Sequence, residues 1–140
     1  MIAYLNTSAL VKLYVEESGS KTVQDVCTNS STICTSMLAY TETRAAFARA
    51  YQDKRLSKAV HRAILEDFHD DWERYFALEV RWEVVRQAGE LAEEYRLRAY
   101  DAVHLASALH LHASVEEPVS FVCFDSRLNR AAKARGFLVV

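Results

Sequence analysis

Asn6, Glu42, Asp101 and Asp125 are the residues of this sequence whose types and positions suit shared chemistry. Asn6 ends the apolar run Ile2-Ala3-Tyr4-Leu5, and Asp125 directly follows Phe121-Val122-Cys123-Phe124. Glu42 and Asp101 are flanked by small or apolar residues in segments that otherwise bury a face. Carboxylates gathered at one place repel each other unless positive charge lies between them. A hard divalent cation with oxygen ligands meets that need, and Mg2+ takes one or two carboxylates together with waters. Such an ion activates water and stabilises in-line displacement at phosphorus. No His/Cys set has metal-ligand spacing, and no Walker or dinucleotide-binding glycine motif is present. The best chemical reading is an all-oxygen metal site.

These residues meet only if the chain forms a parallel sheet whose strand ends share one rim. The pattern predicts strands over residues 2–5, 32–35, 78–82, 119–124 and 137–140. Helices are predicted from a Ser8 cap through Leu13 and Tyr14, and over residues 20–29. A Ser36 cap should start a long helix carrying Glu42, Phe47 and Ala50, and Ser57 should start another carrying Ile64, Phe68 and Trp72. Further helices are expected over 84–96, 99–112 and 126–135, with Gly136 as the last stop. Strands alternating with helices imply an α/β fold, a parallel sheet covered on both faces. The helix pair between the second and third strands reads as a hairpin and, over residues 37–76, as a candidate surface for a partner. In such sheets ligands bind beyond the C-terminal strand ends. Asn6 and Asp125 lie there, Glu42 falls in the first two turns of its helix, and Asp101 in the first turn of its own.

A chain of 140 residues with 51% apolar content fits one domain, residues 1–140, with a sizeable core. Three glycines and one proline leave no linker. No apolar run is long enough for a bilayer, and no basic segment precedes the first strand, so no membrane association and no secretion are expected. Cys27, Cys34 and Cys123 are odd in number and far apart, and read as small buried hydrophobes of a cytoplasmic protein. A net charge of −2 leaves nucleic-acid binding to a local patch. Arg98, Arg127 and Arg130, near two of the acids, form such a patch and are candidate phosphate contacts. A solvated helix surface explains them equally well.

The motifs around the four residues carry a family likeness. Met-Ile-Ala-Tyr-Leu-Asn-Thr-Ser-Ala-Leu resembles the opening of a PIN domain, where the sixth residue is ordinarily Asp. Leu38-Ala39-Tyr40-Thr41-Glu42-Thr43-Arg44 is similar to the second acidic motif of that family. Tyr100-Asp101-Ala102-Val103-His104-Leu105-Ala106 is similar to the third, and Phe124-Asp125-Ser126-Arg127-Leu128 to the fourth. The likeness spans nearly the whole chain, in order, and the size matches VapC toxins of type II toxin–antitoxin systems. It implies a three-layer, Rossmann-like α/β/α fold. It also implies an Mg2+- or Mn2+-dependent endoribonuclease whose ion is held by Glu42, Asp101 and Asp125, with Asn6 in the fourth position. Thr7 or Ser8 would shape the site. RNA would be cleaved to leave a 5′-phosphate and a 3′-hydroxyl. A cognate VapB-like antitoxin would insert a basic side chain or an extended segment into the acidic rim, and the toxin would be a homodimer.

Asn6 departs from this pattern. An amide oxygen coordinates a hard cation but brings no charge, so little or no nuclease activity is expected beside near-normal folding. The alternative is a binding-only PIN module for RNA or protein. Local readings compete at the other positions as well. Asp125 could cap the last helix, Glu42 could pair with Arg44 or Arg49, and Asp101 could be a first-turn acid favoured by the helix dipole. His104 reads as a hydrogen-bonded structural histidine rather than a general base. Trp72, Tyr75, Phe76 and Trp82 read as core or interface rather than RNA-stacking residues.

Overall fold

The computed structural model describes all 140 residues, Met1–Val140. Its centre is a five-stranded, wholly parallel sheet of β1 (Ile2–Leu5), β2 (Thr32–Ser36), β3 (Phe76–Leu78), β4 (Val119–Val122) and β5 (Leu138–Val139), in spatial order β3-β2-β1-β4-β5. β1 and β4 are buried along their whole length, which is why they read as unbroken apolar runs. Side chains alternate across β1. Ile2 and Tyr4 enter a core with Phe121 of β4, covered by α5 (Trp82–Tyr95), α6 (Ala99–Ser114) and α7 (Ser126–Ala134). Ala3 and Leu5 enter a second core with Val122, covered by α1 (Thr7–Val11), α2 (Ser20–Thr28), α3 (Leu38–Gln52) and α4 (Lys58–Trp72). The expected three layers and parallel sheet are therefore present. Strand order reverses direction at β1, so a crevice opens beyond the C-terminal ends of β1 and β4.

The α3–α4 hairpin is not an appendage. Phe47, Ile64 and Phe68 on its inner face belong to the same buried cluster as Leu5 and Leu10. Phe68 meets Tyr14, Phe47 and Trp72 edge-on and stacks on Tyr40, with ring centroids between 5.3 and 5.6 Å. Trp72 and Tyr75 are thus packed, as expected, whereas Phe76 and Trp82 are exposed.

Several boundaries differ from the sequence expectation. The third strand covers Phe76–Leu78 rather than 78–82, and Trp82 begins α5 with 70% of its surface exposed. Leu78, Val80 and Trp82 imitate a strand by alternation, but β2 offers partners only to Phe76, Ala77 and Leu78. The first helix is capped by Asn6, not Ser8, and ends at Val11 instead of reaching Tyr14. The Asn6 Oδ1 accepts from the Ala9 N–H at 3.1 Å. α3 begins at Leu38, although Ser36 Oγ still accepts from the Leu38 N–H. The fourth strand stops at Val122 and the closing strand is Leu138–Val139 only. Ser57 caps α4 through the Val60 N–H, and Gly136, at φ 91°, ends α7 in the left-handed conformation.

Candidate active site

Asn6, Glu42, Asp101 and Asp125 come from four separate segments and line one cleft of about 560 Å³ at the switch point of the sheet. Thr7, Ser8, Arg98 and His104 share its walls, together with Arg49, Arg55, Tyr100 and Phe124. A smaller hollow of about 250 Å³ adjoins it, sharing Arg98, Asp101 and Asp125 and adding Arg127 and Arg130.

Asn6 is buried at the end of β1. Its Oδ1 already accepts two hydrogen bonds, from Ser8 Oγ at 2.9 Å and the Ala9 N–H. Asp125 divides its two oxygens. Oδ1 caps α7 by accepting from the Leu128 N–H at 2.9 Å, while Oδ2 lies 3.8 Å from Arg98 Nη2. Capping and cleft lining thus coexist in one carboxylate. Asp101, in the first turn of α6, accepts from Arg98 Nε at 3.1 Å. One guanidinium therefore spans the two acids, occupying with positive charge the place between them.

Glu42 pairs with neither Arg44 nor Arg49. Its Oε1 accepts from Thr7 Oγ1 at 2.7 Å and from His104 Nε2 at 3.0 Å. The single Thr7 proton goes to Glu42, so His104 must carry its own proton on Nε2 and accept at Nδ1 from the Tyr4 hydroxyl, 2.9 Å away. Burial keeps Tyr4 protonated by raising its pKa far above the ordinary value. His104 is 2% exposed and its ring nitrogens are both bonded, which makes it a positioning residue for Glu42. Tyr4 was missed from sequence, since on a buried strand its ring looks like any other apolar body. Arg49 was read only as a possible partner of Glu42 and Arg55 not at all, and neither was recognised as lining the cleft.

Burial works against charge on Glu42, yet the hydrogen bonds from His104 and Thr7 outweigh it and hold the pKa below the usual carboxylate value. A depressed folded-state pKa stabilises the fold above the unfolded value of about 4.3. That contribution disappears as pH falls through the lower folded value. Acid unfolding monitored by circular dichroism should show a component below about pH 4.3 that Glu42→Gln removes; an unaltered acid limb in the variant would contradict the assignment.

The site's donors are all hard oxygens, which suits a divalent cation, and Arg98 already stands as a cationic substitute between two of them. No group of three or more His, Cys, Asp or Glu side chains closes to metal-binding geometry. Glu42 is turned toward Thr7 and His104, and the fourth donor is an amide.

Comparison with known proteins agrees with this architecture. The PIN domain family model matches residues 3–134. Ribonuclease VapC45 of Mycobacterium tuberculosis (strain CDC 1551 / Oshkosh) is 37% identical, over 96% of this chain and 92% of its own length. FitAcB from Neisseria gonorrhoeae superposes with a TM-score of 0.67 at 15% identity, covering 99% of this chain and 96% of its own. VapBC2 from Rickettsia felis, solved bound to a DNA fragment from its promoter, gives 0.65 at 15% identity over 100% and 98%. With four segments meeting at the switch point, a family model spanning nearly the whole sequence and a relative of this identity, the chain belongs to the PIN-domain family, in the company of its VapC-type ribonucleases.

Proposed function

We propose that this chain is built as a divalent-metal-dependent endoribonuclease toxin and that Asn6 leaves it impaired. The observation that carries the proposal is the convergence of Asn6, Glu42, Asp101 and Asp125 on one cleft. Glu42, Asp101 and Asp125 would hold Mg2+ or Mn2+, with the Asn6 amide oxygen as an uncharged fourth donor. When bound, the ion supplies charge neutralisation at the scissile phosphate and lowers the pKa of water. Thr7 and His104 fix Glu42, with Tyr4 behind them. Arg98 must release Asp101 and Asp125, which frees its guanidinium for a phosphate oxygen. Hydrolysis would leave a 5′-phosphate and a 3′-hydroxyl.

A second reading, a PIN module that only binds RNA or protein, is favoured by one observation. Asn6 Oδ1 is already engaged, capping α1 through the Ala9 N–H and accepting from the Ser8 hydroxyl. The Asn6→Asp chain, incubated with end-labelled RNA with and without Mg2+, separates the two. Cleavage supports the nuclease, and its absence returns the chain to the second reading.

Neutralisation by a VapB-like antitoxin that places a basic group on the acidic rim fits a cleft whose acids already attract Arg98. Solved neighbours include toxin–antitoxin complexes, one from Klebsiella pneumoniae among them. Homodimerisation through the hairpin is supported by the exposure of Met37, Tyr51, Val60 and Phe76. Val60→Glu with Tyr51→Glu should shift sedimentation toward monomer; unchanged assembly would remove the hairpin from the interface. No helix is long and apolar enough to cross a membrane.

Arg127 is held in place by donating from Nη1 to the Arg96 carbonyl at 3.0 Å, beside exposed Arg130. As phosphate contacts they should set part of the salt dependence. Reversing both to Glu should weaken single-stranded RNA binding and reduce the slope of log K against log salt by about 0.7 per lost contact. An unchanged slope would leave them as ordinary helix surface.

A further inference from the structure

Two aromatic rings remain exposed in the cleft, each one residue before a candidate metal-binding acid. Tyr100 precedes Asp101 and is 60% exposed, and Phe124 precedes Asp125 and is 41% exposed. Scattered apolar residues on a surface need no explanation, but these two share one concavity with three guanidinium groups, Arg49, Arg55 and Arg98. Phe124 is also braced. Lys12 Nζ stands 4.7 Å from its ring centroid and is itself paired with Glu17 at 2.9 Å. Gly19 backs the same ring so closely that an added Cβ would lie 2.7 Å from Cε1, and its φ of 93° further excludes ordinary side chains. The ring is thus packed on one side and open to the cleft on the other, a stacking surface that loses little freedom when covered.

We infer that Phe124 and Tyr100 are nucleobase-stacking subsites, so that the ligand of the cleft is an unpaired RNA segment with its bases splayed onto the rings beside the acids. The inference rests on the nuclease reading and names how its substrate is held. Every nucleobase has a π-face, so stacking gives affinity without sequence preference, while the arginines take the phosphates. Strand addition by a peptide has no place there, because β1 and β4, whose ends form the rim, are interior strands with no free edge.

The test uses the chain as it is, in EDTA, with a fluorescein-labelled single-stranded RNA 12-mer of mixed sequence and an abasic ribose-phosphate strand of equal length, read by anisotropy. Tyr100→Ala and Phe124→Ala should each weaken RNA binding roughly 5- to 150-fold. The salt slope should stay unchanged, and Phe124→Trp should retain the affinity. The abasic strand should bind the parent chain and both alanine variants equally. Full RNA affinity in both alanine variants would assign the rings to a protein partner and overturn the inference. An equal loss with the abasic strand, or no RNA binding by the parent chain, would overturn it too. Failure of the Asn6→Asp chain to cleave, with ring-dependent binding intact, would remove only the nuclease reading.

Discussion

Replacing Asn6 by Asp is expected to raise Mg2+-dependent RNA cleavage by roughly a hundredfold. The residue sits at the C-terminal end of β1, in the same cleft as Glu42, Asp101 and Asp125. Restoring a carboxylate adds one negative charge where a divalent ion would lie. A pair of unit charges at about 4 Å is worth about 4 kcal/mol at a protein-surface dielectric, and about twice that when one partner is divalent. Repulsion from the neighbouring acids takes back most of that, leaving about 2–3 kcal/mol. Asp caps a helix as well as Asn, so the Ala9 N–H and Ser8 hydroxyl keep their acceptor and the fold should survive. Without metal the added charge should lower stability slightly, and Mg2+ should recover it. Cleavage rates and metal-dependent thermal shifts, measured together, check both halves. A metal-dependent shift without cleavage would place Asn6 in the metal site but not in the reaction.

Phe68→Ala should be the most damaging single substitution, at about 3–5 kcal/mol by urea unfolding. That is a large share of the 5–15 kcal/mol typical of a whole domain. Phe68 is buried at the centre of four aromatic neighbours, and Tyr14 ties that cluster to the segment after α1. The Tyr14 hydroxyl in turn donates to Asp71 of α4 at 2.9 Å and bonds Tyr75. The loss should therefore appear as one cooperative transition with an unchanged denaturant slope. A separate early transition confined to the hairpin would show that α3 and α4 fold apart from the sheet.

Much of the site was legible because its positions are set by strand ends. Asp125 follows an unmistakable apolar run, and Asn6 follows another, so topology alone sends both to one rim. Glu42 could be located by counting from the start of its helix. Its partners could not, because the Tyr4–His104–Glu42–Thr7 chain joins residues from β1, α1, α3 and α6 whose spacing obeys no local period. Arg98 read as a phosphate contact, and only coordinates reveal that it also bridges two acids. The misplaced third strand has a plain origin. Alternation in Leu78, Val80 and Trp82 mimics pleating, yet an edge strand lasts only as long as its neighbour supplies hydrogen bonds.

The central position of β1 also governs the order in which the cleft comes together. β1 is made before β4, and its pairing waits for Val119–Val122, most of the domain further along the sequence. Such long-range parallel contacts form late and slowly. A nascent chain that has not yet delivered β4 also lacks Asp125, so no partial product on the ribosome carries an assembled centre. The four-residue cleft is therefore completed in one step, once Asp125 has been made and the β1–β4 pair has closed.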